Sequence, residues 1–217
     1  MALVVPGTIE RAEAHSVLED ALGTLNLAVE SAQVDALLSL AELLHRWAPR
    51  INLTGYKTFA ALLRGLVVES AALTSVLPDL QSLADIGSGA GFPGLPIAIL
   101  RPRCGLTLVE ARRRRHHFQK AAIRELGLEN VTPLLGRAES LAPVRHAAAI
   151  AQAMAQPDCA LSRMLPWVER GGCVLIPGSE SIPVLSHKPD VEFEGAIAYR
   201  VPGRERTRTL WVGRVSR

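Results

Sequence analysis

Metal and disulfide chemistry have little to build on in this chain of 217 residues. It holds three cysteines, Cys104, Cys159 and Cys173, and no two of them form a C-x-x-C pair. An odd, scattered set argues against a disulfide framework and fits a reducing compartment. Aromatic residues make up only 4% of the sequence, so ring platforms for stacking bases are not expected. Trp47, Trp167 and Trp211 read as core or edge packing instead. Uninterrupted apolar runs fall short of the roughly 18 residues that span a bilayer, and no signal peptide is read at the start. The expectation is a soluble, cytoplasmic monomer without membrane or metal. The length suits one domain with an appendage better than two full domains.

Charge is present but uneven. Residues 1–84 hold nine acids against five Lys or Arg, and residues 85–217 hold twelve against nineteen. A basic half over a weakly acidic half fits a polyanion meeting one face, or simply a solubilising surface.

Periodicity divides the chain near residue 80, into a helical extension (1–79) and an α/β core (80–217). From Ser31, a plausible N-cap, apolar residues recur at Val34, Leu37, Leu38, Ala41, Leu44 and Trp47, one stripe of a helix. Pro49 is expected to end it, because proline cannot donate to the ladder. A second helix is expected from Phe59 to Leu77, with Leu62, Leu63, Leu66, Val67 and Leu73 inward and Pro78 closing it. Strands are then predicted at Leu83–Ile86, Gly105–Val109, Val131–Leu135, Ala148–Ala153 and Cys173–Ile176. Helices between them are predicted near Pro93, over Arg113–Leu126 with Gly127 as left-handed cap, and from about Asp158 to Gly171-Gly172. Alternating β and α elements predict a parallel sheet covered on both faces. Gly195–Val201 and Thr207–Val215 read as a closing antiparallel hairpin. Residues Pro177 to Pro189 look like a linker.

The sharpest motif is Asp85-Ile86-Gly87-Ser88-Gly89-Ala90-Gly91-Phe92-Pro93-Gly94, between a predicted strand and helix. Glycines there allow a sharp turn and close approach to a ligand, and free N–H groups at a helix start favour a negative group. Gly89-x-Gly91-x-x-Gly94 matches the dinucleotide fingerprint. Asp-x-Gly-x-Gly-x-Gly matches the first motif of S-adenosylmethionine (SAM) methyltransferases. The acid separates them: a carboxylate beside the loop suits the cationic end of SAM and repels a pyrophosphate. Unit charges 4 Å apart interact by about 4 kcal/mol at an effective dielectric near 20. A glycine-rich turn without ligand is the bland alternative. Glu110, after the second strand, can accept both hydroxyls of an adenosine ribose, or is an exposed acid facing arginines. Phe92 can wall the cofactor. Ala138-Glu139 follows the third strand, where an adenine ring would rest.

Arg112, Arg113, Arg114 and Arg115 are consecutive, followed by His116 and His117. Positive charge at a helix N-terminus opposes the dipole, so the run hints at function. Arginine's planar fork suits phosphate, and the run reads as an RNA-backbone contact or as a solvated face. Adjacent histidines do not share a helix face, so no metal site is read there. Arg200, Arg204, Arg206, Arg208, Arg214 and Arg217 extend the basic footprint or protect an edge strand.

Asn52-Leu53-Thr54, the glycine loop continuing through Phe92-Pro93-Gly94-Leu95-Pro96, and Asn130-Val131 leading to Arg137-Ala138-Glu139 together resemble the RsmG (GidB) family. These are bacterial methyltransferases acting on guanine N7 in small-subunit ribosomal RNA. The resemblance covers about residues 30–215. It implies a Rossmann-like class I SAM methyltransferase fold, with a mostly parallel seven-stranded sheet, a C-terminal antiparallel hairpin and an N-terminal helical extension. It implies SAM as cofactor, ribosomal RNA or the small ribosomal subunit as partner, and a SAM pocket that includes Gly87, Phe92, Ala138 and Glu139. It places Asn52 near the target base and matches the basic run to Arg112–Arg115. Three departures stand out. An arginine expected after the fourth strand is Gln152, a Lys-Gly after the fifth is Pro177-Gly178, and an Asp-Ser is Glu69-Ser70 with no clean match for the Arg-His before it. With Gln152 taken as the cofactor-site equivalent, the expected SAM set is Asp85, Gly87, Gly89, Gly91, Phe92, Glu110, Ala138, Glu139 and Gln152.

Two other functions remain at this point, an RNA-binding relative with weakened catalysis and an NAD(P)-dependent oxidoreductase. No Ser-His-Asp, Cys-His or metal constellation is found, and no acid–base residue is nominated. If the charge of Asp85 attracts the cofactor, Asp85→Ala abolishes SAM binding in a calorimetric titration. Normal binding by that variant would sink this reading of the loop.

Overall fold

The computed structural model describes residues 11–152, 157–178 and 190–216. The apolar runs become a seven-stranded sheet: β1 (Ser82–Ile86), β2 (Gly105–Glu110), β3 (Val131–Leu135), β4 (His146–Ile150), β5 (Val168–Gly178), β6 (Val191–Arg200) and β7 (Thr207–Val215). Their order is β3-β2-β1-β4-β5-β7-β6. The first five run parallel, and β7 pairs antiparallel with both β5 and β6. The order reverses between β1 and β4. In open α/β sheets that is where ligands sit, beyond the carboxyl ends of the strands.

Strand alternation sends side chains to two separate cores. Leu83, Leu106, Leu108, Ile150 and Leu175 face one layer, built from α1 (Arg11–Thr24), α2 (Ser31–Ile51), the helical run Phe59–Val76, α5 (Gly94–Leu100) and α6 (Arg113–Leu126). Ala84, Ile86, Val109, Ala149 and Ile176 face the other, with Leu161 and Met164 of α7 (Pro157–Met164) and with Trp167. The helical extension thus shares a core with one face of the sheet. Each fully buried leucine there, such as Leu37, Leu38 or Leu44, contributes about 1.5–3 kcal/mol of transfer free energy. Trp47 packs edge-on against Phe118, while Trp167 and Trp211 are buried.

Several local expectations are corrected. The N-cap of α2 is Glu30, whose N–H donates to Gln33 Oε1 at 2.9 Å. Pro49 does not end α2, which runs to Ile51. Only the last turn follows the proline, so one missing donor costs little there, and Asn52 N–H still reaches the Ala48 carbonyl. Asn52 closes the helix at φ 46°, a left-handed cap that asparagine tolerates.

Residues Leu63–Val68 form a π-helical turn between α3 (Phe59–Leu62) and α4 (Glu69–Val76). The whole run, Phe59–Val76, is 18 residues long with a mean hydropathy of 1.5, enough by composition to cross a bilayer, yet 67% of it is buried inside the protein. It is a core helix, and Arg64 and Glu69 interrupt its apolar run.

Gly171-Gly172 does not cap a helix. It lies inside β5, where pairing with β4 jumps from His146↔Val168 to Ala148↔Cys173. Glycine in a strand marks such a bulge, and a Cβ on Gly172 would stand 2.7 Å from the Ala147 carbonyl oxygen. Pro177-Gly178, expected to open a linker, is paired with β7, and the rest of that segment, 179–189, lies outside the described residues. β4 spans His146–Ile150 in place of Ala148–Ala153, whose last residue is also outside them.

The C-terminal hairpin is tied to the helical layer by charge. Glu69, largely buried, receives Arg204 Nη1 at 3.0 Å and Arg208 Nη2 at 3.1 Å. Arg204 also donates to Tyr56 Oη, which donates to the Gly65 carbonyl in the π turn. Removing one partner of a buried pair costs about 3–5 kcal/mol, and exposed pairs contribute about 0–1. Both arginines are near 30% exposed, so Glu69→Ala is expected to fall between, at about 1–3 kcal/mol in urea denaturation. A loss below about 0.5 kcal/mol would show that the cluster does not hold the hairpin.

Candidate cofactor cleft

The loop after β1 owes its shape to residues that cannot be seen from its own backbone pattern. Gly87, Gly89 and Gly91 hold φ of 73°, 60° and 85°, a region L side chains avoid. Their peptides are then fixed one by one. The N–H groups of Gly87 and Ser88 both donate to the Val109 carbonyl, at 2.9 and 3.1 Å. Those of Gly91 and Phe92 donate to the Ser88 carbonyl, at 2.7 and 3.1 Å. Gly89 N–H donates to Glu110 Oε2 at 2.9 Å, and Gly94 N–H to Asp85 Oδ2 at 2.9 Å. Sequence reasoning expected free N–H groups for an anion. Six of them are instead spent inside the protein, which leaves the loop a poor pyrophosphate cradle.

Asp85 is 1% exposed and turned under the loop. A Cβ on Gly94 would stand 2.7 Å from its Oδ2, so only glycine lets this carboxylate reach the N–H. Burial pushes the Asp85 carboxyl up to about 7. The Gly94 hydrogen bond pulls the other way, and the charge of Glu110 adds to the rise. The sequence reading set Asp85 against the cation of SAM. In the structure one of its carboxylate oxygens anchors the loop to the start of α5.

A cleft of about 400 Å³ opens beyond the ends of β1, β2 and β3. Gly87, Val109, Glu110, Ala111, Arg112, Arg115, Gly136, Arg137, Ala138, Glu139 and Arg163 line it. Glu110 is 4% exposed overall. Beyond Gly89, its Oε1 accepts the Arg112 N–H at 2.6 Å, and Arg115 Nη1 lies 4.0 Å from its Oε2. This carboxylate sits at the N-terminus of α6, where it offsets both the dipole and the arginines that oppose it. Each carboxylate oxygen keeps a second acceptor site, enough for ribose hydroxyls. At the far wall, Trp167 Nε1 holds the Ala138 carbonyl at 3.4 Å, and Arg163 Nε approaches Glu139 Oε2 at 3.6 Å.

Among the residues nominated from sequence, Gly87, Glu110, Ala138 and Glu139 meet at this cleft, joined by Arg112 and Arg115. Asp85, Gly89, Gly91, Phe92, Gln152 and Asn52 do not line it. Phe92 packs half-buried on the core, Gln152 lies just past β4, and Asn52 is exposed. Arg113 and Arg114 point to solvent. Sequence reasoning missed Gly136 and Arg163, and quoted Arg137 within a motif without nominating it for the site. It also missed Gln119, a fully buried amide on the apolar stripe of α6 that donates to Ser88 Oγ at 2.8 Å and to the Gly89 carbonyl at 2.9 Å. A polar residue between Phe118 and Ala122 on that stripe was the available signal.

Asp85→Asn separates charge from geometry, because asparagine keeps an acceptor for Gly94 N–H without a charge. Binding of SAM within about threefold of wild type is expected, against loss in Asp85→Ala; loss in both would restore the electrostatic reading. The pH dependence has a definite sign. With the folded pKa raised, the contribution of Asp85 to stability is complete below the unfolded value near 3.8 and is lost as pH rises through about 7. Wild type should therefore lose ground to Asp85→Asn between pH 4 and 7 in parallel thermal melts; a constant difference would contradict the assignment.

Comparison with known proteins agrees with this architecture. The family model described as GidB, rRNA small subunit methyltransferase G, matches residues 33–210. A ribosomal RNA small subunit methyltransferase G from Chromohalobacter salexigens is 31% identical over 195 residues, covering 89% of this chain and 93% of that protein. One from Sodalis glossinidius is 31% identical over 204 residues, covering 90% and 96%. Among solved structures, the O-methyltransferase TomG from Streptomyces achromogenes in complex with SAM superposes with a TM-score of 0.54 at 18% identity, covering 97% of this chain and 100% of that one. M. jannaschii TYW2 in complex with AdoMet gives 0.55 at 12% identity, covering 76% and 78%. These two likenesses establish the class I SAM methyltransferase fold, and the match over residues 33–210 means that the chain belongs to the GidB family of rRNA small subunit methyltransferase G proteins.

Proposed function

We propose that this protein transfers the methyl group of SAM to N7 of a guanine in small-subunit (16S) ribosomal RNA, acting as a cytoplasmic monomer. The observation that carries the reading is the extent of the family match. It runs from residue 33 to residue 210 and so includes both the cleft and the Asn52 segment of the helical layer. The residues present fit the cofactor. Glu110 offers acceptors for a ribose, Ala138 and Glu139 wall the far end, and the spent N–H groups of the loop suit a ligand without a diphosphate.

When bound, SAM supplies an electrophilic methyl group on a sulfonium. Guanine N7 has a free lone pair at neutral pH, so no side chain has to remove a proton. The work left to the chain is to align the two reactants and exclude water. Gly87 and Glu110 hold the donor side. Arg113 and Arg114, exposed on the first turn of α6 beside the cleft, meet the RNA backbone, and Arg112 faces both. Asn52, exposed at the left-handed end of α2, approaches the target base. The base must be unstacked to be reached, which favours a loop or an incompletely assembled subunit as substrate.

A second reading, an RNA-binding relative with weakened catalysis, is favoured by two positions. Gln152 carries no charge, and Pro177 is built into β5. A missing charge-assisted hydrogen bond is worth about 1.5–3 kcal/mol, enough to slow turnover by tens to hundreds.

Incubation with methyl-labelled SAM and small ribosomal subunits or their RNA tests both. Incorporation, mapped to one guanine by chemical cleavage at 7-methylguanine, is expected. SAM binding without transfer to any RNA would move the assignment to the second reading. Arg113→Ala with Arg114→Ala should leave SAM affinity unchanged and flatten the slope of log affinity against log salt for RNA by about 1.4–1.8, if each arginine neutralises one phosphate. An unchanged slope would remove these residues from the RNA contact.

A further inference from the structure

We propose that Gln119 is a positioning residue for cofactor binding: it grips the glycine loop from α6 and, through Gly89, sets Glu110 against the cleft. The inference rests on the reading that Glu110 faces the nucleoside part of SAM.

Gly89 is held at both of its polar groups by side chains. Its N–H donates to Glu110 Oε2 at 2.9 Å, and its carbonyl accepts from Gln119 Nε2 at 2.9 Å. With φ at 60°, Gly89 holds a left-handed conformation that glycine adopts freely and most other residues avoid, and the two bonds select it. Gln119 uses the same nitrogen to donate to Ser88 Oγ at 2.8 Å, and Ser88 Oγ in turn reaches the Val109 carbonyl at 3.3 Å. The amide orientation is fixed by chemistry, because the Gly89 carbonyl is only an acceptor and must face the NH2 group. That orientation strands the other end: Gln119 Oε1 is buried and has no partner among the described residues.

A buried amide with an unpaired oxygen is a poor way to stabilise a helix. Its neighbours on the stripe, Phe118 and Ala122, are apolar and fully buried. A leucine of similar size would remove the orphaned acceptor but also leave the Gly89 carbonyl without its side-chain donor, so the gain and the loss in stability oppose each other. Gln119 therefore leaves one of its own polar atoms unpaired while it fixes the conformation of two loop residues. Glu110 is the link to the cofactor, since the oxygen that Gly89 N–H holds belongs to the carboxylate that lines the cleft.

The test is Gln119→Leu in the full chain, with three readouts. Calorimetry should show SAM affinity lowered about tenfold. Thermal melting without ligand should show a Tm close to that of wild type, because the lost hydrogen bonds and the removed orphan oppose each other. Methyl transfer should show a raised KM for SAM with kcat changed less than twofold. Lowered affinity at a nearly unchanged Tm is the signature of a positioning role. Unchanged SAM affinity overturns the proposal, and so does a fall in Tm alongside the fall in affinity, which marks a purely structural residue. Gln119→Met, which is more adaptable in shape, is read the same way if the leucine variant does not fold, and failure of both to fold also overturns it. Absence of SAM binding by wild type would instead refute the reading of the cleft itself.

Discussion

Two carboxylates at the ends of adjacent strands determine what the glycine loop is able to bind. Asp85 on β1 and Glu110 on β2 each accept a backbone N–H from that loop, those of Gly94 and Gly89. With the Val109 and Ser88 carbonyls taking four more, the loop is wound by bonds to its own protein. A loop with this composition can cradle a diphosphate only if its N–H groups point outward and stay free. Here six of them do not, so discrimination against a diphosphate rests on the loop; a carboxylate at the end of the second strand is common to dinucleotide sites as well.

The cost of this arrangement is desolvation. Asp85 sits almost completely out of water and titrates near neutrality for that reason. The fold tolerates it because the layers on either side are dense with leucine, valine and alanine from both the helical extension and the strands. The same α6 that brings Gln119 to the loop carries the arginine run at its exposed end, and Glu110 bonds to the first residue of that run. One helix thus joins the basic surface to the loop that borders the cleft, in line with a reaction that needs two large reactants aligned and little else.

Much of the core was readable from punctuation. The bounds of α6 and β3 coincide with those expected, because Gly127 and Asn130-Val131 mark real changes of backbone direction. Gly171-Gly172 misled for a physical reason: a glycine pair serves equally as a helix stop and as a strand bulge, and only the register of β4 against β5 separates them. Pro49 misled because a proline in a last turn removes a single donor. The site was legible where residues face the cleft from strand ends, as with Gly87, Glu110 and Ala138-Glu139. It was not legible where partners come from far along the chain. Nothing local ties Gln119 to Gly89, Arg163 to Glu139, or Glu69 to Arg204 and Arg208. Asp85 shows a subtler limit, since the motif contains the residue but does not encode its hydrogen bond from Gly94 N–H.

The most direct trial of this account is a ligand comparison on the purified full chain, in which S-adenosylhomocysteine, NAD+ and ADP are titrated separately under identical buffer and salt. The spent amides of the loop predict saturable binding of the nucleoside thioether and no measurable heat from either diphosphate. Binding of NAD+ or ADP as tight as that of S-adenosylhomocysteine would contradict it.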